Sequence, residues 1–411
     1  MNKGYVGALL LAGAVFITAT SAQAAVHRVY PGMSIQEAID DAYAGDTILV
    51  EPGLYEEADN GRYGLRIDKD NIRLIGKVKK GRGEDGLVRL RVAEDQETGV
   101  YAAPPGCDYD VSDDSALGIE CRAKELKGFY IRGFKVEKFP KNGIQTRWVD
   151  GFQIVRNESA GNGHGNGNGI YPTLSANGLV RNNVSYGSTD TAMWIAGSEN
   201  VRVIGNELYD SVIGFEITVS NNVTVIQNEI YDNTVGVGLF HPNGAGNPPL
   251  PVMADWVVKH NDIYDNNRDN DAPGGSLQGN LPSGIGVLLS GVSDHVVANN
   301  NVEGNGYVGI AVLGWCTGLG ILDPNVCDVP PLKATPASTN NVIARNHLLD
   351  NGKEPPADAQ LPPADILYGQ PVEQFFEFET SGNCFKQNKP KNDFVSVNIE
   401  TGDSDLPTEG C

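Results

Sequence analysis

Val225-Ile226-Gln227-Asn228-Glu229-Ile230 is one instance of a motif that returns in seven consecutive units of the chain. It consists of an apolar residue, two spacers, Asn, one spacer and usually a second apolar residue. The other six asparagines are Asn157, Asn182, Asn206, Asn261, Asn300 and Asn346. Five residues after each stands a second polar or small position: Asn162, Gly187, Ser211, Asn233, Asn266, Asn305 and Asn351. Such a repeat describes stacked units, none able to bury its own apolar face alone. A second short apolar run follows in each unit, as in Gly214-Phe215-Glu216-Ile217 and Gly236-Val237-Gly238-Leu239. Those two runs lie 22 residues apart, with nothing inserted between units. A unit of that size with two or three short strands is one turn of a parallel β-helix, rising by the ~4.8 Å strand spacing. A leucine-rich horseshoe or a propeller would need its own signature, and neither occurs.

The asparagines themselves are read as scaffold, because Asn tolerates turn conformations and stacked Asn side chains form ladders. The expected fold is all-β, a single-stranded parallel β-helix with a short N-terminal capping helix. That helix is predicted from the Ser34 and Glu37 capping box and the stripe Ile35, Ala38, Ile39 and Ala42. Residues 98–122 read as loop. The helical domain is placed at 25–385, with insertions at 242–255, 267–282 and 316–339 and a polar tail at 386–411. The insertions leave a groove over the shorter coils as the place to look for a ligand.

Residues 1–24 read as a secretory signal, with Lys3, an apolar stretch from Val6 to Ile17 and the small-residue site Ala22-Gln23-Ala24. The stretch is short for a membrane span, and no second one follows, so a periplasmic or secreted protein is expected. In that compartment six cysteines suggest disulfides, and proximity favours Cys107–Cys121, Cys316–Cys327 and Cys384–Cys411. The net charge of −21 argues against nucleic acid and anionic membrane surfaces as partners.

Strand periodicity turns every second residue of the second strand outward. That outward file reads Gln145, Tyr171, Trp194, Glu216, Gly238, Gly286 and Ala311. Tyr171, Trp194 and Glu216 suit a sugar ring on aromatic faces beside a carboxylate; the competing reading is that the aromatics are cross-strand partners only. His241, after the strand and beside an insertion, joins them as a candidate substrate-binding residue, but a lone His lacks an oriented partner. No catalytic residue is assigned. Asp262, Asp265, Asp269 and Asp271 offer calcium-type ligands without the spacing of a known loop, so no cofactor is expected and Ca²⁺ is the alternative left open. No nucleotide-binding or hydrolase-elbow motif occurs.

The passage Asn168 to Gly187, which includes Gly169-Ile170-Tyr171-Pro172-Thr173-Leu174, resembles the right-handed parallel β-helix proteins of the pectin-lyase-like superfamily. It is similar to copper-maturation periplasmic β-helix proteins, to alginate C5-epimerases and to exported bacterial β-helix repeat proteins. Ser34 to Asp40 and Gly45 to Tyr55 look like the start of the same superfamily. The resemblance implies a right-handed helix and a polysaccharide ligand. In the epimerases the segment after Gly-Ile reads Asp-Pro-His-Asp and supplies the catalytic His; Thr173 stands there in this chain, and the position of the uronate-binding arginine falls near Ser198. Neither can do that chemistry. The expected function is therefore binding, with or without processing, of a polysaccharide, by a site of lyase, hydrolase or epimerase type over the central coils. The alternatives are a non-catalytic glycan binder and a periplasmic accessory scaffold with a protein partner.

Overall fold

A computed structural model of the chain describes residues 24–408 apart from 82, 94, 113–114, 242–252, 275, 277, 319–336, 370–381 and 391–394. The expected signal segment, except Ala24, and most of the insertions 242–255 and 316–339 lie outside the described residues. Three parallel sheets, of 12, 11 and 11 strands, take one strand each from successive coils. The fold is an all-β, right-handed parallel β-helix. Its core is built by identical inward positions stacked coil on coil. In the first sheet Val203 pairs with Val225 and Val225 with Val258; in the third, Met193 pairs with Phe215 and Phe215 with Val237. All of these side chains are fully buried, so each coil supplies the apolar cover that its neighbour lacks.

At the corner between the first and second sheets the chain bends and its N–H groups lose sheet partners. The asparagine file supplies them. The backbone N–H and the side-chain amide of Asn206 both donate to Asn228 Oδ1, each at 2.9 Å, and the same amide also donates to the Val180 carbonyl at 3.1 Å. Asn228 repeats this with Asn261, and Asn261 with Asn300. A second ladder, Ser211, Asn233, Asn266 and Asn305, closes the next corner in the same way. One unit departs from the expected register. The ladder residue between Asn157 and Asn206 is Asn183, not Asn182, and its companion is Ser188, not Gly187. The inward apolar residue there is Val180, while Leu179 is only half-buried, and Asn183 keeps the spacing of three from Val180.

With that register restored, Tyr186, Tyr209, Tyr231 and Tyr264 each stand three residues after a ladder Asn on the outer face of the second sheet. They form a continuous stack with ring centroids 4.8, 5.2 and 5.1 Å apart. The Tyr186, Tyr231 and Tyr264 hydroxyls donate to Glu158, Glu207 and Glu229 respectively, each carboxylate lying on an earlier coil.

The N-terminal helix spans Ile35–Asp41, with Ser34 Oγ accepting from Glu37 N at 3.0 Å. The reciprocal acid is Glu57 rather than Glu37: its carboxylate accepts from Ile35 N, Gln36 N and Ser34 Oγ. Residues 98–122, expected as loop, contain the strand Thr98–Ala102 and most of the helix Ala116–Lys124. The expected tail supplies two strands, Lys389–Pro390 and Ser396–Asn398, which cover edges that the last coil would leave bare. Cys107 and Cys121 are disulfide-bonded. Cys384 is also disulfide-bonded, but Cys411, and Cys327 of the expected Cys316–Cys327 pair, lie outside the described residues. Among the described residues no helix is long and apolar enough to cross a membrane.

Replacing Asn228 with Ala strands the Asn206 N–H and the Val203 carbonyl in a buried corner. We expect a loss of about 2–6 kcal/mol in urea denaturation, at about 1–3 kcal/mol per buried unsatisfied group. A loss below about 1 kcal/mol would mean that the ladder is not what holds the corner.

Candidate functional site

The outer face of the third sheet divides chemically along its length. Successive coils place Gln145 opposite Tyr171, Trp194 opposite Glu216, Glu216 opposite Gly238 and Gly238 opposite Leu288. Leu288 then faces Ala311. The expected Gly286 is therefore not in this file; it registers with Gly236, two residues earlier, where the insertion between coils shifts the strand start. From Leu288 onward the file is apolar. It joins Ile285, Val308 and Leu367 in a second core beneath the segments that run through Leu281 and Leu361. A cavity of about 430 Å³ remains there, between 269–283 and 356–361.

The other end of the face is covered by the segment 103–125. Its disulfide packs on Trp148, and the Arg147 guanidinium donates to the Tyr109 and Val111 carbonyls. Between these two covers the face opens. Within the strands from Thr98–Ala102 to Ala364–Gly369, every residue of this sheet is buried except Tyr171 and Trp194. The two rings stack on each other, with centroids 4.6 Å apart and planes inclined by 14°. The facing sides of the two rings are thus occupied by each other. Trp194 Nε1 is held by Thr218 Oγ1 at 2.9 Å.

At the rim lies a group that has no motif in the sequence. Thr191 Oγ1 is 2.7 Å from Glu216 Oε2 and 3.2 Å from Asp190 Oδ1. Glu216 is 6% exposed and Asp190 3%. A hydroxyl has one hydrogen and cannot donate to two carboxylates at once. The arrangement closes if Glu216 carries a proton and donates to Thr191, which donates to Asp190. Electrostatics agrees in direction: burial and the nearby Asp190 charge push the Glu216 carboxyl well above the usual range, and burial raises Asp190 against the hydrogen bonds of Thr191 and Gln278. The neighbouring amides extend this polar strip. Asn142 donates to Gln145 Oε1 at 3.0 Å and accepts from Asn168, while Asn168 Oδ1 is buried without a partner.

Tyr171, Trp194 and Glu216 are therefore contiguous. His241 is apart from them. It lies three residues beyond Gly238, the residue facing Glu216, or about 10 Å along an extended strand. Its Nδ1 is buried without a partner, and burial lowers its pKa. Asp262, Asp265, Asp269 and Asp271 do not converge; Asp271 pairs with Arg268, and among the described residues no three acidic, His or Cys side chains are grouped to hold a metal. Arg202 lies on the first sheet, facing Thr224.

The model of the right handed beta helix region matches residues 111–249 and 142–326, together more than half of the chain. The chain belongs to this β-helix family. Comparison with curated protein sequences gives no match. Among solved structures, it is similar to the A-module of Azotobacter vinelandii mannuronan C-5 epimerase AlgE4, with 18% identity over 88% of this chain and 85% of that one and a TM-score of 0.61. The A-module of epimerase AlgE6 from the same organism gives 16% identity over 87% and 90%, with a TM-score of 0.50. At these identities the likeness is one of fold.

A carboxyl whose pKa is higher in the folded than in the unfolded chain favours folding at low pH and costs stability as pH rises above its unfolded value. Glu216→Gln keeps the shape and removes the titration. We expect the variant's stability relative to the native protein to grow as pH rises above the ordinary carboxylate range. Thermal melts at stepped pH measure it, and a difference that stays flat rejects the retained proton.

Proposed function

We propose that this is an exported β-helix protein that engages a polysaccharide at the opening over Tyr171 and Trp194. The observation that carries this reading is the burial pattern: along the third sheet, these two aromatic side chains are what the covers leave open. Polar amides and a carboxyl pair border them, the mixture with which proteins orient sugar hydroxyls against apolar surface. The similar structures named as mannuronan epimerases act on a polysaccharide, which is consistent with the reading but does not carry it.

The Asp190, Thr191 and Glu216 group favours turnover as a second step at the same place. A protonated Glu216 can give its proton to a glycosidic oxygen as that carbon–oxygen bond breaks, with water adding to the sugar carbon and returning a proton. A glycan array followed by product analysis tests both readings. Tyr171→Ala with Trp194→Ala is expected to weaken binding by at least about tenfold, or about 1.4 kcal/mol. Glu216→Gln should retain binding and lose product. Unchanged binding by the double aromatic variant removes the site, and product formation by Glu216→Gln removes the acid role.

A further inference from the structure

We infer that the opening over Tyr171 and Trp194 takes an uncharged glycan and rejects polyuronates, an inference that rests on the polysaccharide reading of this site. The argument is the charge inventory of the cleft. Its bordering groups are the amides of Asn142, Gln145 and Asn168, the hydroxyls of Tyr171 and Thr191, the Trp194 indole, and the carboxyls of Asp190 and Glu216. Among the described residues the cation beside Tyr171 is Arg147. It is itself buried, donates to the Tyr109 and Val111 carbonyls, and lies 4.2 Å over the Trp148 ring. Lys141, the next basic residue in sequence before it, lies against the Tyr109 ring at 5.6 Å. Both cations are committed to the segment that covers one end of the sheet.

A uronate unit seated at Trp194 would bring its carboxylate beside the Asp190, Thr191 and Glu216 group, in which Asp190 is the charged member. Burying an anion without a counter-charge is costly, and placing it near the Asp190 carboxylate adds repulsion. The net charge of −21 opposes the approach of a polyanion from further away, within the screening length of the medium. A neutral sugar meets none of these penalties. Its hydroxyls are matched by the donors and acceptors of the same amides.

The test is a matched pair of ligands, mannuronan and the same polymer with its carboxyls reduced to alcohols, titrated by calorimetry at neutral pH with and without calcium. These run beside a panel of neutral glucans, xylans and mannans. The expected result is binding of the reduced polymer or of a neutral glycan, with mannuronan at least about tenfold weaker. Asp190→Asn with Glu216→Gln is expected to narrow that gap, and Trp194→Ala to abolish the binding. Mannuronan binding as tightly as its reduced form, in either calcium condition and lost with Trp194→Ala, overturns the inference and leaves the polysaccharide site standing. No binding by any polymer removes the site itself.

Discussion

The structure depends on what happens to backbone N–H groups at the corners. Within a sheet each N–H meets a carbonyl one coil away, but where the chain turns that pairing stops and burial forbids water as a substitute. A side-chain amide that occupies the same corner in the next coil restores the bond. It also extends the ladder, because its own N–H then needs the same service one coil further on. The Asn157 to Asn346 file is thus a self-propagating solution. It fixes the coil at a constant register, and every other stacked feature inherits that register: the valine files inside, the tyrosine stack on the second sheet and the aromatic pair on the third.

Constant register has a consequence for function. A residue type placed at one outward position appears beside its neighbour at the ~4.8 Å strand spacing, so a change of chemistry along the file becomes a boundary on the surface. The third sheet has such a boundary at Glu216 and Gly238. On one side the outward residues are apolar and must be covered, and the segments through Leu281 and Leu361 cover them. On the other side the cover is a segment held by Arg147 and the Cys107–Cys121 bridge. The opening between the covers falls at Tyr171 and Trp194, the two residues of these strands that are not buried.

The repeat, the three-sheet coil and the capping helix are all legible in the sequence, since a periodic asparagine between apolar residues admits few other structures. Asn182 shows where legibility stops. Two adjacent asparagines satisfy the motif equally well, and only the inward pointing of Val180 selects Asn183. Once an insertion intervenes the same weakness recurs, and Gly286 is displaced from the file that Leu288 occupies. Asp190 had no signal because its role comes from Thr191 and Glu216, the latter 26 residues away in a different coil. The Tyr186 to Tyr264 stack follows from tyrosine three residues after four of the corner asparagines, Asn183, Asn206, Asn228 and Asn261. It carries no chemistry by itself and is a consequence of the same register. His241 is the opposite case: proximity to a strand end is visible in sequence, but its distance along the strand, about 10 Å from Gly238, sets it apart from the aromatic pair.

Two buried carboxyls bridged by one hydroxyl are an expensive arrangement for a solenoid that has apolar alternatives at hand. Ile213 and Val235 occupy the positions that continue the Thr191 file in the following coils, and both are buried without cost. An aliphatic residue at Thr191 would therefore suit the fold better than a hydroxyl flanked by acids, and Gly238 shows that the Glu216 position tolerates having no side chain at all. Stability alone does not account for Asp190, Thr191 and Glu216 together. They stand beside Tyr171 and Trp194, the two residues of these strands that are not buried, and that coincidence is the physical argument behind the proposed site.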